Sequence, residues 1–253
     1  MRCAYLKFIF CLFAAGCSNV NNKPVDNNFK SKLIHGKNLT CSLSDESLSC
    51  WVGNNRANIL MKDDSSYSSI KLGYSSVCGL DRSDRLKCWS KKDNSFFREK
   101  MEQIDKSEYL SISVGYFHGC GITKKNQLKC WGQNDYGQLG IEKSELSRSV
   151  PVEVDSSANY QKVVSGNMHS CGLTSLGTVK CWGSNSLGQF GDIERKSYFS
   201  PQKIGEDFSF VDIMAEEDYT CAAIKKKDNE LENRVICFGE KDGLRFVSNE
   251  TKP

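Results

Sequence analysis

No apolar run in this 253-residue chain is long enough to cross a bilayer as a helix. The longest, residues 8–15, falls far short of the roughly 18 residues a span needs. A strong charge of one sign is missing too. The formal net charge is +3, and Arg2 and Lys7 lie in a segment expected to be removed, so the mature chain is near neutral and no nucleic-acid partner is expected. Histidine is scarce, with three residues, and no G-x-S-x-G elbow, H-E-x-x-H helix or EF-hand loop occurs. These absences exclude the commonest serine-hydrolase, zinc-protease and calcium-sensor designs, and no catalytic residue is assigned. The thirteen cysteines lack the C-x2–4-C spacing that zinc sites favour, so no metal and no other cofactor is expected. GQNDYGQLG, from Gly132, lacks the Lys and Ser/Thr of a phosphate-binding loop and recurs as GSNSLGQFG from Gly183, which is the behaviour of a turn.

What is present begins with MRCAYLKFIFCLFAAGC: early positive charge, a short apolar core, then small residues ahead of Cys17. That order reads as a signal peptide. Ala14-Ala15-Gly16-Cys17 resembles the bacterial lipobox, in which signal peptidase II cleaves before a lipidated cysteine. A plain signal peptide and an anchoring helix are the competing readings. The resemblance implies a leader over residues 1–16 and a lipidated Cys17. Several acyl chains, each worth about 0.8 kcal/mol per buried CH2, would make that membrane attachment lasting. Ser18 after the cysteine implies the outer membrane of a diderm bacterium. Residues 17–32 carry the lipid site and then a polar, Asn-rich tether.

Setting aside Cys3, Cys11 and Cys17 leaves five pairs: Cys41 with Cys50, Cys78 with Cys88, Cys120 with Cys130, Cys171 with Cys181, and Cys221 with Cys237. An even count in an exported chain argues for disulfides. Their first members recur at intervals of 37, 42, 51 and 50 residues, the mark of a repeat. SVGYFHGCGITKKNQLKCWGQNDYGQLG from Ser113 and VSGNMHSCGLTSLGTVKCWGSNSLGQFG from Val164 are the clearest copies; degraded ones start at Ile34, Leu72 and Ala215. Gly36, Gly73, Gly115 and Gly166 stand five residues before the first cysteine, and Trp51, Trp89, Trp131, Trp182 and Phe238 follow the second.

Cys171 shares its parity with Leu173, as Val179 does with Cys181, across a polar turn. Each pair therefore sits on a β-hairpin, whose directly opposed residues come close enough for a cross-strand bridge. Residues 151–154 and 161–165 precede one hairpin, and 201–204 and 210–213 the next. Four strands per repeat make a propeller blade. The pattern G-x-x-H-x-C-x-L, C-W-G-x-N-x-x-G-Q-L-G, P-x-x-V resembles the regulator-of-chromosome-condensation repeat, in its exported, Cys-bearing bacterial branch. The expected fold is an all-β propeller of about five four-stranded blades over residues 33–248, each with a cross-strand disulfide, and a tail at 249–253. The first unit is expected to lack its leading strand. LRFVS at 244–248 is expected to supply it and close the ring, with an incomplete arc as the rival arrangement.

The resemblance implies an interaction scaffold. The nuclear namesake exchanges nucleotide on a small GTPase, and a secreted bacterial relative inhibits β-lactamases through its loops; both act by protein contact. The chain thus reads as a non-enzymatic binding module of the bacterial cell envelope, contacting an envelope or extracellular protein or a surface polymer through one face. A structural envelope protein without a discrete ligand is one alternative. A propeller-based polysaccharide-cleaving enzyme is the other, yet Glu216, Glu217 and Asp218 are contiguous, and no second acid cluster stands out to face them. Because strands alternate in direction, connections 132–149 and 183–199 emerge with the 166–169 turn on one face. Tyr136, Arg148, Arg195 and Tyr198 on those connections are the candidate partner-binding residues, of the types interface hot spots favour. His118 and His169 read as structural hydrogen-bonders, and the charged tip at 225–234 as a solvated hairpin end.

Overall fold

Each cysteine hairpin becomes the middle pair of a four-stranded antiparallel sheet. The computed structural model describes residues 31–53, 59–90, 101–191, 194, 196–205, 208–225, 235–241 and 244–246, all within one compact unit spanning 31–253. The expected leader, Cys17, most of the tether and the 249–253 tail lie outside the described residues. Sheet one runs β1 (Lys32–His35), β2 (Leu39–Leu43), β3 (Leu48–Val52), β4 (Ile59–Asp63). Sheet two is β5 (Tyr67–Leu72), β6 (Ser76–Asp81), β7 (Arg85–Ser90) and the first part of β8 (Glu102–Val114). The rest of β8 opens sheet three, followed by β9 (His118–Thr123), β10 (Leu128–Gln133) and β11 (Ser147–Glu153). Strand β8 serves twice: Glu108 is opposite Arg85 in β7, whereas Tyr109 is opposite Thr123 in β9. Sheet four is β12 (Tyr160–Ser165), β13 (His169–Thr174), β14 (Val179–Ser184) and β15 (Ser197–Ile204). Sheet five is β16 (Phe210–Glu216), β17 (Asp218–Ile224), β18 (Val235–Lys241) and β19 (Leu244–Phe246).

Every hairpin carries its bridge. Cys41 is bonded to Cys50, Cys78 to Cys88, Cys120 to Cys130, Cys171 to Cys181, and Cys221 to Cys237, each pair directly opposed in register. Their Cα atoms are 4.0 to 4.1 Å apart, the close spacing of a non-hydrogen-bonded antiparallel pair. Nine of the ten half-cystines are buried and Cys237 is half-buried; Cys50 and Cys88 belong to the packing between sheets. Strand membership corrects the expectation in three places. The strand over 151–154 belongs with β10, in the sheet before the hairpin it precedes, and 201–204 likewise pairs with β14. Sheet one has its own leading strand, because Lys32–His35 pairs with β2 and Ile34 reaches the core. The C-terminal strand, β19, pairs with β18 as the fourth strand of its own sheet. Among the described residues it has no ladder to sheet one. Sheets one and five meet instead through an ion pair between Lys37 and Glu217, 2.8 Å long.

Period-2 alternation puts each disulfide on one face of its sheet and the aromatic residue that follows it, Trp in four sheets and Phe238 in the fifth, on the other. Cys120–Cys130, Leu128 and Leu139 of sheet three thereby pack on Tyr160, Val163 and Trp182 of sheet four. The same layering joins sheets one and two, two and three, and four and five. Both faces of the middle strands are covered, and β6, β9 and β13 are buried along their whole length. The GQNDYGQLG turn completes this layering. Gly140 lies against Trp182, whose indole N–H donates to the Gln138 carbonyl at 3.0 Å, and Gly191 lies against Phe238. A side chain at either glycine would strike that ring, and both glycines have positive φ.

A second repeated device escaped the sequence reading. Tyr160 donates to Asp155 at 2.8 Å and Lys180 reaches the same carboxylate at 2.8 Å; Tyr109, Asp105 and Lys129 repeat the arrangement. Burial alone would raise the Asp155 carboxyl, but hydrogen bonds from Lys180, Ser157 and Tyr160 outweigh it and hold it well below the usual carboxylate range. Burial and then Asp155 push the Tyr160 hydroxyl up. The signal was available: Tyr67, Tyr109 and Tyr160 each stand eleven residues before a first cysteine, and Lys87, Lys129 and Lys180 directly before a second. Tyr160→Phe removes a hydrogen bond to a charged group and is expected to cost about 1.5 kcal/mol in urea unfolding. An unchanged midpoint would mean that Lys180 and Ser157 suffice to hold the carboxylate.

Candidate binding face

The turns between first and second strands converge on the propeller axis. Gly115 and Gly166 have no room for a side chain there, because a Cβ would meet the Gly166 and Glu217 carbonyls at 2.3 and 2.6 Å. Main-chain bonds run from turn to turn: Tyr74 N–H to Tyr116 O, Tyr116 N–H to Asn167 O, and Asn167 N–H to Glu217 O. One residue per blade, four before its first cysteine, sits at each turn tip: Lys37, Tyr74, Tyr116, Asn167 and Glu217. These five line a cavity of about 240 Å³ at the axis, together with Ser165 and Glu216. Tyr74 stacks on Tyr116 with centroids 4.2 Å apart, and Phe117 packs edge-on against both. The glycines recur visibly in the sequence, whereas the tip residues that follow them have no residue type common to all five and carry no repeat signal.

Acid residues at this mouth are engaged rather than poised as a hydrolytic pair. Glu217 pairs with Lys37, Glu216 accepts the Tyr219 hydroxyl at 2.6 Å, and Asp218 accepts the Asn167 amide at 3.1 Å. Just beneath, the two repeat histidines are fully buried and bond across blade boundaries. His118 Nε2 lies 2.8 Å from Ser170 Oγ, and His169 Nε2 lies 2.9 Å from Thr220 Oγ1. Both act as structural hydrogen-bonders, as their recurrence suggested. Burial, reinforced by neighbouring His169, lowers His118 to about 3, and burial lowers His169 to about 4.

The long loops leave from the same face as these turns, since Gln133 N–H bonds Phe117 O and Ser184 N–H bonds Met168 O. Tyr136 is 47% exposed on one loop. Its neighbour Gly137 stands against the Tyr198 carbonyl of the next blade, so the two tyrosines share a stretch of rim. Tyr198 also donates to the Glu194 carbonyl at 3.0 Å, and Lys196 lies over its ring. Arg148 is tied to Glu145 by an ion pair. Arg195 and most of the 225–234 tip lie outside the described residues. Among the described residues no group of three or more His, Cys, Asp or Glu side chains is arranged to hold a metal ion.

These features define a β-propeller of disulfide-bonded blades with a loop-bearing face. Residues 110–138 and 160–189 match one model of the Regulator of chromosome condensation (RCC1) repeat, and residues 127–173 match a second. The chain carries repeats of the regulator-of-chromosome-condensation family. Among solved structures it is similar to human WBSCR16, with TM-score 0.66 and 14% identity, covering 86% of this chain and 64% of that one. It is also similar to Prp20p from Saccharomyces cerevisiae, with TM-score 0.59 and 18% identity over 82% and 57% of the two chains. The CRINKLY WD40 ectodomain of the Arabidopsis thaliana receptor kinase ACR4 gives 0.54 and 19% over 89% and 68%. At such identities the likeness concerns the fold alone, and the chain spans 57% to 68% of those structures' own length. Comparison with curated proteins gives no match.

Proposed function

We propose that this protein is a non-enzymatic binding module of the bacterial cell envelope, anchored through a lipid on Cys17, that contacts an envelope protein through its loop-bearing face. The observation that carries the reading is the gathering of both long loops, the turn tips and exposed Tyr136 on one side of a propeller whose blade interiors are filled by packing. Relatives in fold support a protein partner. Yeast RCC1 (Prp20) is known bound to Kap60, and Prp20p is described with binding properties to Gsp1p and histones. The AAGC site and polar tether support the envelope placement.

The test is crosslinking in intact cells that express the full chain. Wild type is expected in the membrane fraction with a crosslinked protein, and Cys17→Ala is expected to be released from the membrane. Replacing Tyr136, Arg148, Arg195 and Tyr198 together by Ala is expected to abolish the crosslink while leaving the thermal transition within a few degrees. A crosslink that survives this change but is lost on altering residues 225–234 assigns the opposite face. Turnover of an envelope polysaccharide by purified protein overturns the non-enzymatic reading.

A further inference from the structure

We propose that the axial cavity is a binding site for an organic cation, the guanidinium or ammonium group that an arginine or lysine side chain carries. The charge at the mouth is unbalanced. Lys37 compensates Glu217, whereas Glu216 is held only by the neutral Tyr219 hydroxyl at 2.6 Å and stays exposed. No ion pair to Glu216 is found among the described residues. Asp218 beside it likewise receives a neutral amide, from Asn167. Across the cavity, Tyr74 and Tyr116 present aromatic rings, whose negative faces attract cations and repel anions.

A third feature is independent of the charge. Ser165 lines the cavity and is 8% exposed, yet its hydroxyl oxygen is buried without a hydrogen-bond partner, although its own N–H donates to Ser113 Oγ at 2.9 Å. Buried hydroxyls are normally satisfied. This one can accept from an N–H donor placed in the cavity, and a guanidinium brings several such donors in one plane. Carboxylate, aromatic wall and spare acceptor together select a cation with N–H groups over an anion, which Glu216 would repel. The cavity opens on the face that carries the long loops, so the cation's expected source is a basic side chain of the partner. To that extent the inference rests on the protein-binding reading above.

The experiment is calorimetric titration of the purified chain at low salt with L-argininamide, with N-acetyl-Gly-Arg-Gly-amide and with N-acetyl-Gly-citrulline-Gly-amide, in which a neutral urea replaces the guanidinium. The arginine peptide is expected to bind at least about tenfold more tightly than the citrulline peptide, and about tenfold less tightly to Glu216→Gln. Tyr74→Leu, at an exposed ring, is expected to weaken it about fivefold with an unchanged melting temperature. A peptide that binds more tightly than argininamide points to a partner's side chain, and equal binding points to a free amine; either supports the site. Equal affinity for the arginine and citrulline peptides, or binding of neither, overturns it. So does N-acetylglucosamine bound equally by wild type and Glu216→Gln, which would make the cavity a sugar site. This titration needs no partner and can fail separately. A chain that binds argininamide but crosslinks to nothing keeps the cation site and loses the envelope reading, and the converse result does the reverse.

Discussion

Reduction is expected to unfold this protein at neutral pH and room temperature, and the loss of a single bridge to lower its melting temperature by about 10 °C. Each disulfide closes a short loop, with a sequence separation of 9 to 16 residues. The chain-entropy model assigns such a loop about 2.7 kcal/mol, and removal of native bridges commonly costs about 2 to 5 kcal/mol. Set against a typical net stability of about 5 to 15 kcal/mol, a few such losses suffice. The bridges also form the packing surface. Cys171 and Cys181 are fully buried and lie in the layer that contains Phe210, Ile213 and Phe238 of the next blade. Replacing both by Ala therefore removes the link and leaves a void within that layer. At about 2 to 4 °C per kcal/mol for a domain of this size, the pair Cys171→Ala and Cys181→Ala should shift the circular-dichroism melt by about 10 °C. Burial predicts a kinetic signature as well: reductant reaches the four bridges buried at both ends only when blades separate, so the rate at which their thiols appear should follow unfolding. Equal melting curves for the oxidised and fully reduced chain would refute the blade-staple account.

How much of this architecture could be read beforehand depends on the distance over which each contact acts. The hairpins were legible because a cysteine pair, its alternating neighbours and its turn lie close together in the chain. From Cys41 with Cys50 through Cys221 with Cys237, all five pairs are bonded in register. Sheet membership was not legible. Strand β11 follows β10 after a long loop and precedes β12 closely, so chain order suggests grouping it forward, whereas the hydrogen bonds run backward from Arg148 to Gly132 and from Val152 to Cys130. Grouping that strand one sheet forward also carries β19 forward into sheet one to close the ring, whereas its ladder to β18 completes sheet five. Strand β8 hides a boundary inside one continuous run, because its ladder changes partner between Glu108 and Tyr109 with no turn to mark it.

The candidate face divides in the same way. That the long loops and turn tips share a face follows from strand alternation alone. The cavity does not, since Lys37 and Glu217 are far apart in sequence and meet only when the fifth sheet comes round to the first. Tyr74 and Tyr116 occupy one repeat position, and their stacking follows from main-chain bonding between adjacent turns. The Ser165 hydroxyl carries no sequence signal, because a serine in a strand looks the same whether or not a partner faces it.

Acidification from pH 7 to pH 4.5 is expected to destabilise the folded chain by about 5 kcal/mol, through His118 and His169. Each imidazole is fully buried, with Nε2 held by a hydroxyl of the next blade and Nδ1 without a partner. Folding keeps both rings neutral, with folded values of about 3 and about 4. The unfolded chain takes up protons near the usual value of about 6.5. Below that pH the unfolded state binds more protons than the folded one, so stability rises with pH in this window and falls as pH drops. The loss begins near pH 6.5, runs at about 1.4 kcal/mol per pH unit for each histidine, and stops only as the folded rings themselves titrate. Asp81, Asp105 and Asp155 are also held low, but their stabilisation starts to be lost only near about pH 5, where unfolded carboxylates begin to protonate, so the interval from about 6.5 to 5 isolates the histidines. Urea unfolding at half-unit pH steps reads the slope directly. His118→Gln keeps a polar side chain near Ser170 but cannot titrate, and it should halve that slope at the cost of some stability at pH 7. A slope that survives both His118→Gln and His169→Gln would place the acid sensitivity elsewhere, and a flat profile in wild type would mean that the rings are reached by water in the folded blades.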